Sequence, residues 1–356
     1  MKLPHRRPRP APAPPPLLCR WDLDKTYLRS EFDTLRQLIR TARERGEDKV
    51  EVPGVPALMK ALRAAADRRG RPIAAHFISA SPPQIGKAIR DKLALDGVPY
   101  DGIVFKNQLQ HLARGRFRFL REHVGFKLGE LFRGRLTALP GTRELLFGDD
   151  WESDPLTYSL YADVVSGRLA PAGLEPLLRR LGVDGQVLPE LGMLAARAYG
   201  LDGADRILIN LERRTPPAVF QLFGPRLVPT FNYFQTALVL AADGWLESED
   251  VARVAAALVE RSGYTTRRLE NSLADLLRRR LVASEVARSL GRPLREARLL
   301  PPEPRSWRGW MERVRVRLRP RRAPVVGPQV GPLDYEAIFA RMRPGTARAG
   351  AQGARA

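Results

Sequence analysis

The stretch Leu17-Leu18-Cys19-Arg20-Trp21-Asp22-Leu23-Asp24-Lys25-Thr26 decides how this chain reads. Leu17 to Asp22 has the length and apolar content of a buried strand. Two carboxylates, Asp22 and Asp24, then leave its C-terminal end two residues apart. In open α/β sheets, ligands bind beyond the carboxyl ends of the strands. An aspartate pair at that edge can hold a magnesium ion through oxygen and attack phosphorus, so the first chemistry suggested is phosphoryl transfer.

Working outward, Ser30 to Arg45 reads as a helix that Ser30 can cap, with Leu35, Leu38 and Ile39 on one face. Pro53-Gly54-Val55-Pro56 reads as a turn and Ala57 to Arg69 as a second helix. Ile73 to Ser79 is an apolar run of strand length, followed by Ser81-Pro82-Pro83 and a helix over Ile85 to Leu95. A short strand spans Ile103 to Phe105, and basic residues crowd positions 106–122. Lys127 is expected to begin or precede a short helix. Glu144 to Phe147 and Arg206 to Leu211 complete the expected strands. Strands alternating with helices predict a doubly wound parallel α/β sheet.

Two regions exceed a minimal sheet. Residues 156–203 read as a helical insertion, either a lid or, on the base rate for apolar helical segments, a layer packed on the sheet. Residues 248–290 read as at least two helices. The expected organisation is a disordered Pro/Arg-rich arm over 1–16, a catalytic α/β domain over 17–245, a helical extension over 246–290, and a basic, largely disordered tail over 291–356. That tail carries 15 arginines and 5 acidic residues, a net of +10.

The 356 residues carry a net charge of +21. Such an excess favours an anionic partner, whether nucleic acid, a membrane surface or a phosphorylated substrate, although an Arg-rich composition alone supplies part of it. A single cysteine, Cys19, excludes an internal disulfide framework and is expected to be packing. No run of about 18 apolar residues is present to span a membrane, and the N-terminus lacks the apolar core of a signal peptide. A cytoplasmic protein, at most peripheral on a membrane, is expected. The histidines His5, His76, His111 and His123 have no zinc-ligand spacing, with His76 expected in the core. No Gly-rich nucleotide loop or Gly-x-Ser-x-Gly elbow appears, which argues against kinase and esterase chemistry.

Four polar clusters follow expected strands or lie near them: Asp22 with Asp24, Ser79, Lys127, and Asp149 with Asp154. In a parallel sheet the strand ends share one edge, so these clusters can converge. Their types suit one task. A carboxylate attacking a phosphate dianion meets repulsion, which Mg²⁺ relieves. Asp22 would ligate and attack, and Asp149 would supply a second carboxylate. Asp24 would protonate the leaving oxygen and later deprotonate water. Ser79 and Lys127 would donate to the phosphoryl oxygens, where transition-state charge spreads. Taken singly, each cluster is as well explained by a turn, a helix cap or a solvated charge. Their order and strand context together point to a site.

The order Asp22-x-Asp24-x-Thr26, Ser79, Lys127, Gly148-Asp149-(four residues)-Asp154 resembles the haloacid dehalogenase (HAD) superfamily, and the second aspartate its phosphatase branch. Phe77-Ile78-Ser79-Ala80-Ser81-Pro82, Asp154-Pro155-x-x-Tyr158 and Pro53-Gly54-Val55 are similar to motifs of the actin-patch-type phosphatidate phosphatase catalytic domain, which is distantly lipin-like. The resemblance covers about residues 17–245. It implies a HAD-like fold with a small cap, Asp22 as nucleophile and Asp24 as acid/base. Thr26, Ser79 and Lys127 become phosphate-binding residues. Asp22, Asp24, Asp149 and Asp154 become the metal set for Mg²⁺, with Asp154 either in the metal's shell or orienting the lysine. The chain departs from that pattern at two places. Lys25 stands where an acid or glycine is usual, and Asp150-Trp151-Glu152-Ser153 replaces a Ser-Gly-Gln segment.

The expected substrate is phosphatidate or a related lipid phosphate. A phosphatase of another phosphomonoester, such as a nucleic-acid end, a phosphoprotein or a small molecule, is the alternative enzyme reading. A basic membrane- or nucleic-acid-binding protein with a vestigial site is the non-enzymatic one. Trp307, Trp310, Met311, Val314 and Leu318 fall on one face of a helix over 305–319 whose other faces are basic, a pattern that can lie on an anionic membrane.

Overall fold

The structure, a computed structural model, describes residues 14–28, 51–81, 83–106, 116–151, 153–302 and 331–342, without the side chains of 116–122 and 342. The expected N-terminal arm falls almost wholly outside these residues. So do the helix expected over Ser30 to Arg45, His5, His111 and the amphipathic segment 305–319.

Six parallel strands form one sheet in the order β3-β2-β1-β4-β5-β6. They are β1 Leu17–Asp22, β2 Ile73–Ser79, β3 Gly102–Phe105, β4 Arg143–Asp149, β5 Ala204–Asn210 and β6 Leu227–Thr230. The chain winds outward from β1 through β2 to β3, then returns to the centre and winds the other way. The reversal lies between β1 and β4, and in open α/β sheets ligands bind at such a reversal, beyond the carboxyl ends of the strands. The expected α/β doubly wound, HAD-like class is therefore borne out. β6 was not expected: it is only four residues long and contains Pro229, which is tolerated because β6 is the edge of the sheet.

Residues alternate between two cores. Cys19, Trp21, Phe77, Leu145 and Phe147 face one core, and Ile78, Leu146, Ile207 and Ile209 face the other. On the first side lie α1 (Val55–Arg68), α2 (Gly86–Leu95), α7 (Tyr233–Ala242), α8 (Ser248–Ser262), α9 (Thr266–Arg278) and α10 (Ser284–Glu296). Trp21 and Phe147, paired across β1 and β4, stack there with ring centroids 3.7 Å apart. Cys19 is packed in this core, and burial pushes its thiol up to about 12. His76 on β2 is half-buried, and burial with the nearby Arg20 charge lowers its pKa.

On the second side lie α3 (Arg116–Thr137), α4 (Asp154–Val165), α5 (Pro171–Arg180), α6 (Leu188–Ala198) and α11 (Tyr335–Met342). Lys127 does not begin a short helix; it sits in the middle of α3, which is 22 residues long. The insertion 156–203 is helical as expected, and α4 is buried at all twelve positions. It is a layer packed on the sheet.

Of the basic tail over 291–356, residues 291–302 and 331–342 are described, and both stretches contain helix; the rest of that expectation lies outside the described residues. α10 runs through Gly291 to Glu296, and α11 lays Tyr335, Ile338 and Phe339 into the second core. The physical reason is local: Asp163 of α4 accepts hydrogen bonds from the Tyr335 hydroxyl (2.8 Å) and the Leu333 amide (2.9 Å), and Arg180 pairs with Glu336. Among the described residues, no helix is long and apolar enough to cross a membrane.

Arg20, on the face of β1 opposite Trp21, is buried against α3. Its Nη2 lies 3.1 Å from Glu144 of β4, and the same carboxylate receives Arg135 of α3 (3.3 Å) and the Tyr161 hydroxyl of α4 (2.5 Å). One acid thus ties two strands to two helices. Gly134 makes room for it: a Cβ there would stand 2.4 Å from an Arg20 nitrogen. Removing one member of a buried charge set costs on the order of 3–5 kcal/mol. Glu144→Gln, which leaves both guanidiniums against a neutral amide, is expected to lower the unfolding free energy measured by urea titration by that amount, and an unchanged value would refute this role.

Candidate active site

The site forms where β1 and β4 end. Asp22 is the last residue of β1 and Asp149 the last of β4, and both are buried. Asp22 follows Arg20 by two residues and therefore points to the same side of the sheet, toward α3. Lys127 and Arg135 lie eight residues apart on α3, on one helical face. Arg135 meets Glu144, and Lys127 meets Asp22, with Nζ 2.8 Å from Oδ1. The lysine also donates to Asp154 Oδ1 at 2.5 Å.

Asp154 opens α4, with Pro155 behind it. A carboxylate in the first turn is favoured by the amide groups it faces. Its Oδ2 accepts from the Asp149 amide at 3.3 Å, so it approaches the strand end closely. Gly148 permits this: a Cβ there would lie 2.5 Å from Asp154 Oδ2. Tyr158, one turn along α4, donates to the Phe147 carbonyl at 3.2 Å, and its pKa is raised by burial and by the neighbouring Asp154 charge. The Gly-Asp and Asp-Pro-x-x-Tyr patterns thus have a shared structural cause, the seating of α4 against β4.

Asp22, Asp149 and Asp154 each present a carboxylate oxygen within 4.8 Å of the other two. Three buried oxygen donors in that volume, with an ammonium beside them, suit a hard divalent cation such as Mg²⁺. Asp154 both belongs to the trio and holds Lys127, so its position is compatible with either of the roles expected of it.

Asp24 stands outside the trio. Its Oδ2 accepts from the Ser81 hydroxyl at 2.7 Å and from the Ser79 hydroxyl at 3.3 Å, and the Ser81 amide donates to Ser79 Oγ at 3.1 Å. The expected fourth metal carboxylate is thus turned toward the end of β2. Ser79, expected on phosphate, orients Asp24 and Ser81 in this arrangement. Ser81 was not among the expected site residues; its signal in the sequence is the Ser-x-Ser spacing at a strand end. Thr26 is buried, its carbonyl accepts from the Tyr233 hydroxyl, and its own hydroxyl has no hydrogen-bond partner among the described residues. The sheet edge therefore carries two adjoining groups: the trio with Lys127, and Asp24 with Ser79 and Ser81.

Gly148→Ala should separate Asp154 from the Asp149 amide and disturb the trio, at a cost of roughly 1–3 kcal/mol from overpacking. A divalent cation that binds only the folded protein raises its melting temperature. The increase with added Mg²⁺ or Mn²⁺ is expected in the parent protein and lost in Gly148→Ala; an equal increase in both would refute this account of the glycine.

No curated protein and no solved structure matches the chain. Residues 21–170 match the family model described as Phosphatidate phosphatase APP1, catalytic domain. That segment begins at Trp21, ends where α5 begins, and contains Asp22, Asp24, Thr26, Ser79, Lys127, Asp149 and Asp154. The motif resemblance is borne out over this stretch, and the family it matches is one of phosphoric monoester hydrolases.

Proposed function

We propose that the protein is a Mg²⁺-dependent phosphatase that works through an aspartyl-phosphate on Asp22 and hydrolyses phosphatidate or a related lipid phosphate. The observation that carries the reading is the position of Asp22: it ends the central strand, is held by Lys127, and shares a volume of 4.8 Å reach with Asp149 and Asp154. The catalytic-domain match over residues 21–170 supports the phosphomonoester class and the lipid phosphate as substrate.

Asp22, Asp149 and Asp154 would hold the ion, which when bound offsets the negative charge of the phosphoryl group and of the attacking carboxylate. An Asp22 oxygen forms the new bond to phosphorus as the bond to the ester oxygen breaks. Asp24 gives its proton to that leaving oxygen. It then takes a proton from water, which attacks phosphorus and breaks the bond to Asp22, releasing inorganic phosphate and restoring both carboxyl groups. The Ser81 and Ser79 hydroxyls hold Asp24 in one orientation for both transfers. Lys127 compensates Asp22 and donates to a phosphoryl oxygen, and the Thr26 hydroxyl supplies another donor. The lipid reading carries with it a cytoplasmic protein that works at a membrane surface.

Hydrolysis of an aryl phosphate should require Mg²⁺, stop on chelation and return when the ion is restored. Asp22→Asn, which retains the shape but not the nucleophile, is expected to lower kcat by at least about a thousandfold. Asp24→Asn should slow poor leaving groups far more than good ones. Full activity of Asp22→Asn would sink the mechanism, and hydrolysis of a phosphorylated oligonucleotide in preference to phosphatidate would sink the substrate.

A further inference from the structure

The two places where the chain departs from its family's pattern lie 126 residues apart in sequence and meet in space. Lys25 Nζ sits 3.9 Å from the centroid of the Trp151 ring. A second cation joins them: Arg213, in the loop after β5, places its guanidinium carbon 4.5 Å from the same centroid. Asp150 fastens the loop after β5 to the loop after β4, because its two oxygens accept from the Arg213 amide (2.8 Å) and the Thr215 amide (3.0 Å). Trp151 is fastened to the trio, since its amide donates to Asp149 Oδ1 at 2.5 Å. Lys25 holds a left-handed backbone, φ 60°, directly after Asp24. For a non-glycine residue this conformation is uncommon, and it persists where the surroundings hold it.

Two cations thus share one aromatic ring at the mouth of the site. Among the described residues neither Lys25 nor Arg213 has a carboxylate partner; Asp150 is engaged with backbone amides, and Glu212 is exposed beside Arg213. Phe231, just past β6 on the same edge of the sheet, is 39% exposed, with Arg279 against its ring. Tryptophan and basic side chains side by side are the composition that settles at the headgroup level of a bilayer. A single-stranded nucleic acid would need an aromatic face for its bases, and this ring is already engaged by two cations.

We propose that Lys25, Trp151 and Arg213 form a rim that seats the sheet edge on an anionic lipid bilayer, so that the site meets a phosphomonoester headgroup in the plane of the membrane. The proposal rests on the phosphatidate reading of the site. Each basic residue near an anionic surface contributes about fivefold in binding, so two together should contribute at least about tenfold.

The test compares the full chain with Lys25→Gln/Arg213→Gln on two substrates. One is phosphatidate in phosphatidylcholine vesicles containing phosphatidylglycerol; the other is a soluble aryl phosphate. The ratio of kcat/KM for the vesicle substrate to kcat/KM for the aryl phosphate is expected to fall at least tenfold in the double variant, and the fall should shrink when phosphatidylglycerol is omitted. A ratio within twofold of the parent would overturn the rim. So would a preferential loss on a 5′-phosphorylated oligonucleotide, which would assign these residues to nucleic acid. If the parent hydrolyses neither substrate, the phosphatase reading fails, and sedimentation with the same vesicles still reads the rim: weaker binding of the double variant supports it, and equal binding overturns it.

Discussion

The Lys127 ammonium, set between Asp22 and Asp154, is the contact on which the site depends. Three aspartates whose oxygens lie within 4.8 Å of one another are buried at the end of a parallel sheet. Crowding buried carboxylates is unfavourable without a compensating charge, and removing such a charge costs far more than the pair contributes in water. A lysine at that point requires a helix alongside β1, with Lys127 near the strand's carboxyl end. This sets the course of α3. The same helix then meets β1 and β4 again two turns later, where Arg135 and Arg20 share Glu144. The charge set around Lys127 and the one around Glu144 are therefore the two ends of one helix–sheet contact, and Gly134 and Gly148 provide the close approach at each end.

Period-two alternation along β1 makes this possible. Trp21 goes to one core, where it stacks on Phe147, while Arg20 and Asp22 go to the other side. A one-residue slip of β1 would exchange the two sets and bury the tryptophan where the lysine and arginine stand. The central strand, paired on both edges with β2 and β4, has no freedom to slip. Asp22 is thus positioned by the backbone ladder, and its charge environment by α3.

How much of this was legible in the sequence follows from the range of each signal. β1, β2 and β4 were readable because each is an apolar run ending in a polar residue that the sheet edge can use. The helix bearing Lys127 was read as short because Gly125, Gly129 and Gly134 interrupt it and basic residues dilute its apolar face. Those glycines are explained by what they face, such as Arg20 and Leu191, and such partners are invisible to a local window. Asp24 was grouped with the metal carboxylates because spacing alone cannot say which way a side chain turns after a strand ends. Ser81 decides that direction, through one 2.7 Å hydrogen bond made across 57 residues. Charge density over the tail does not reveal α11, because it averages over the few apolar residues of that helix that do the packing.

The end of the chain bears on the insertion as much as on itself. Asp163 lies on α4, the fully buried helix that Asp154 opens, and its carboxylate is bonded by Tyr335, Leu333 and Arg168. Burial and the Asp163 charge push the Tyr335 phenol up, so it stays a hydrogen donor throughout the physiological range. α4 is thus held at both ends by charge: Lys127 grips Asp154 at its start, and the C-terminal segment grips Asp163 nine residues on. A helix so anchored serves as a fixed wall of the site. Lys25, Trp151 and Arg213 stand on the loops after β1, β4 and β5, at the same edge of the sheet as Asp22.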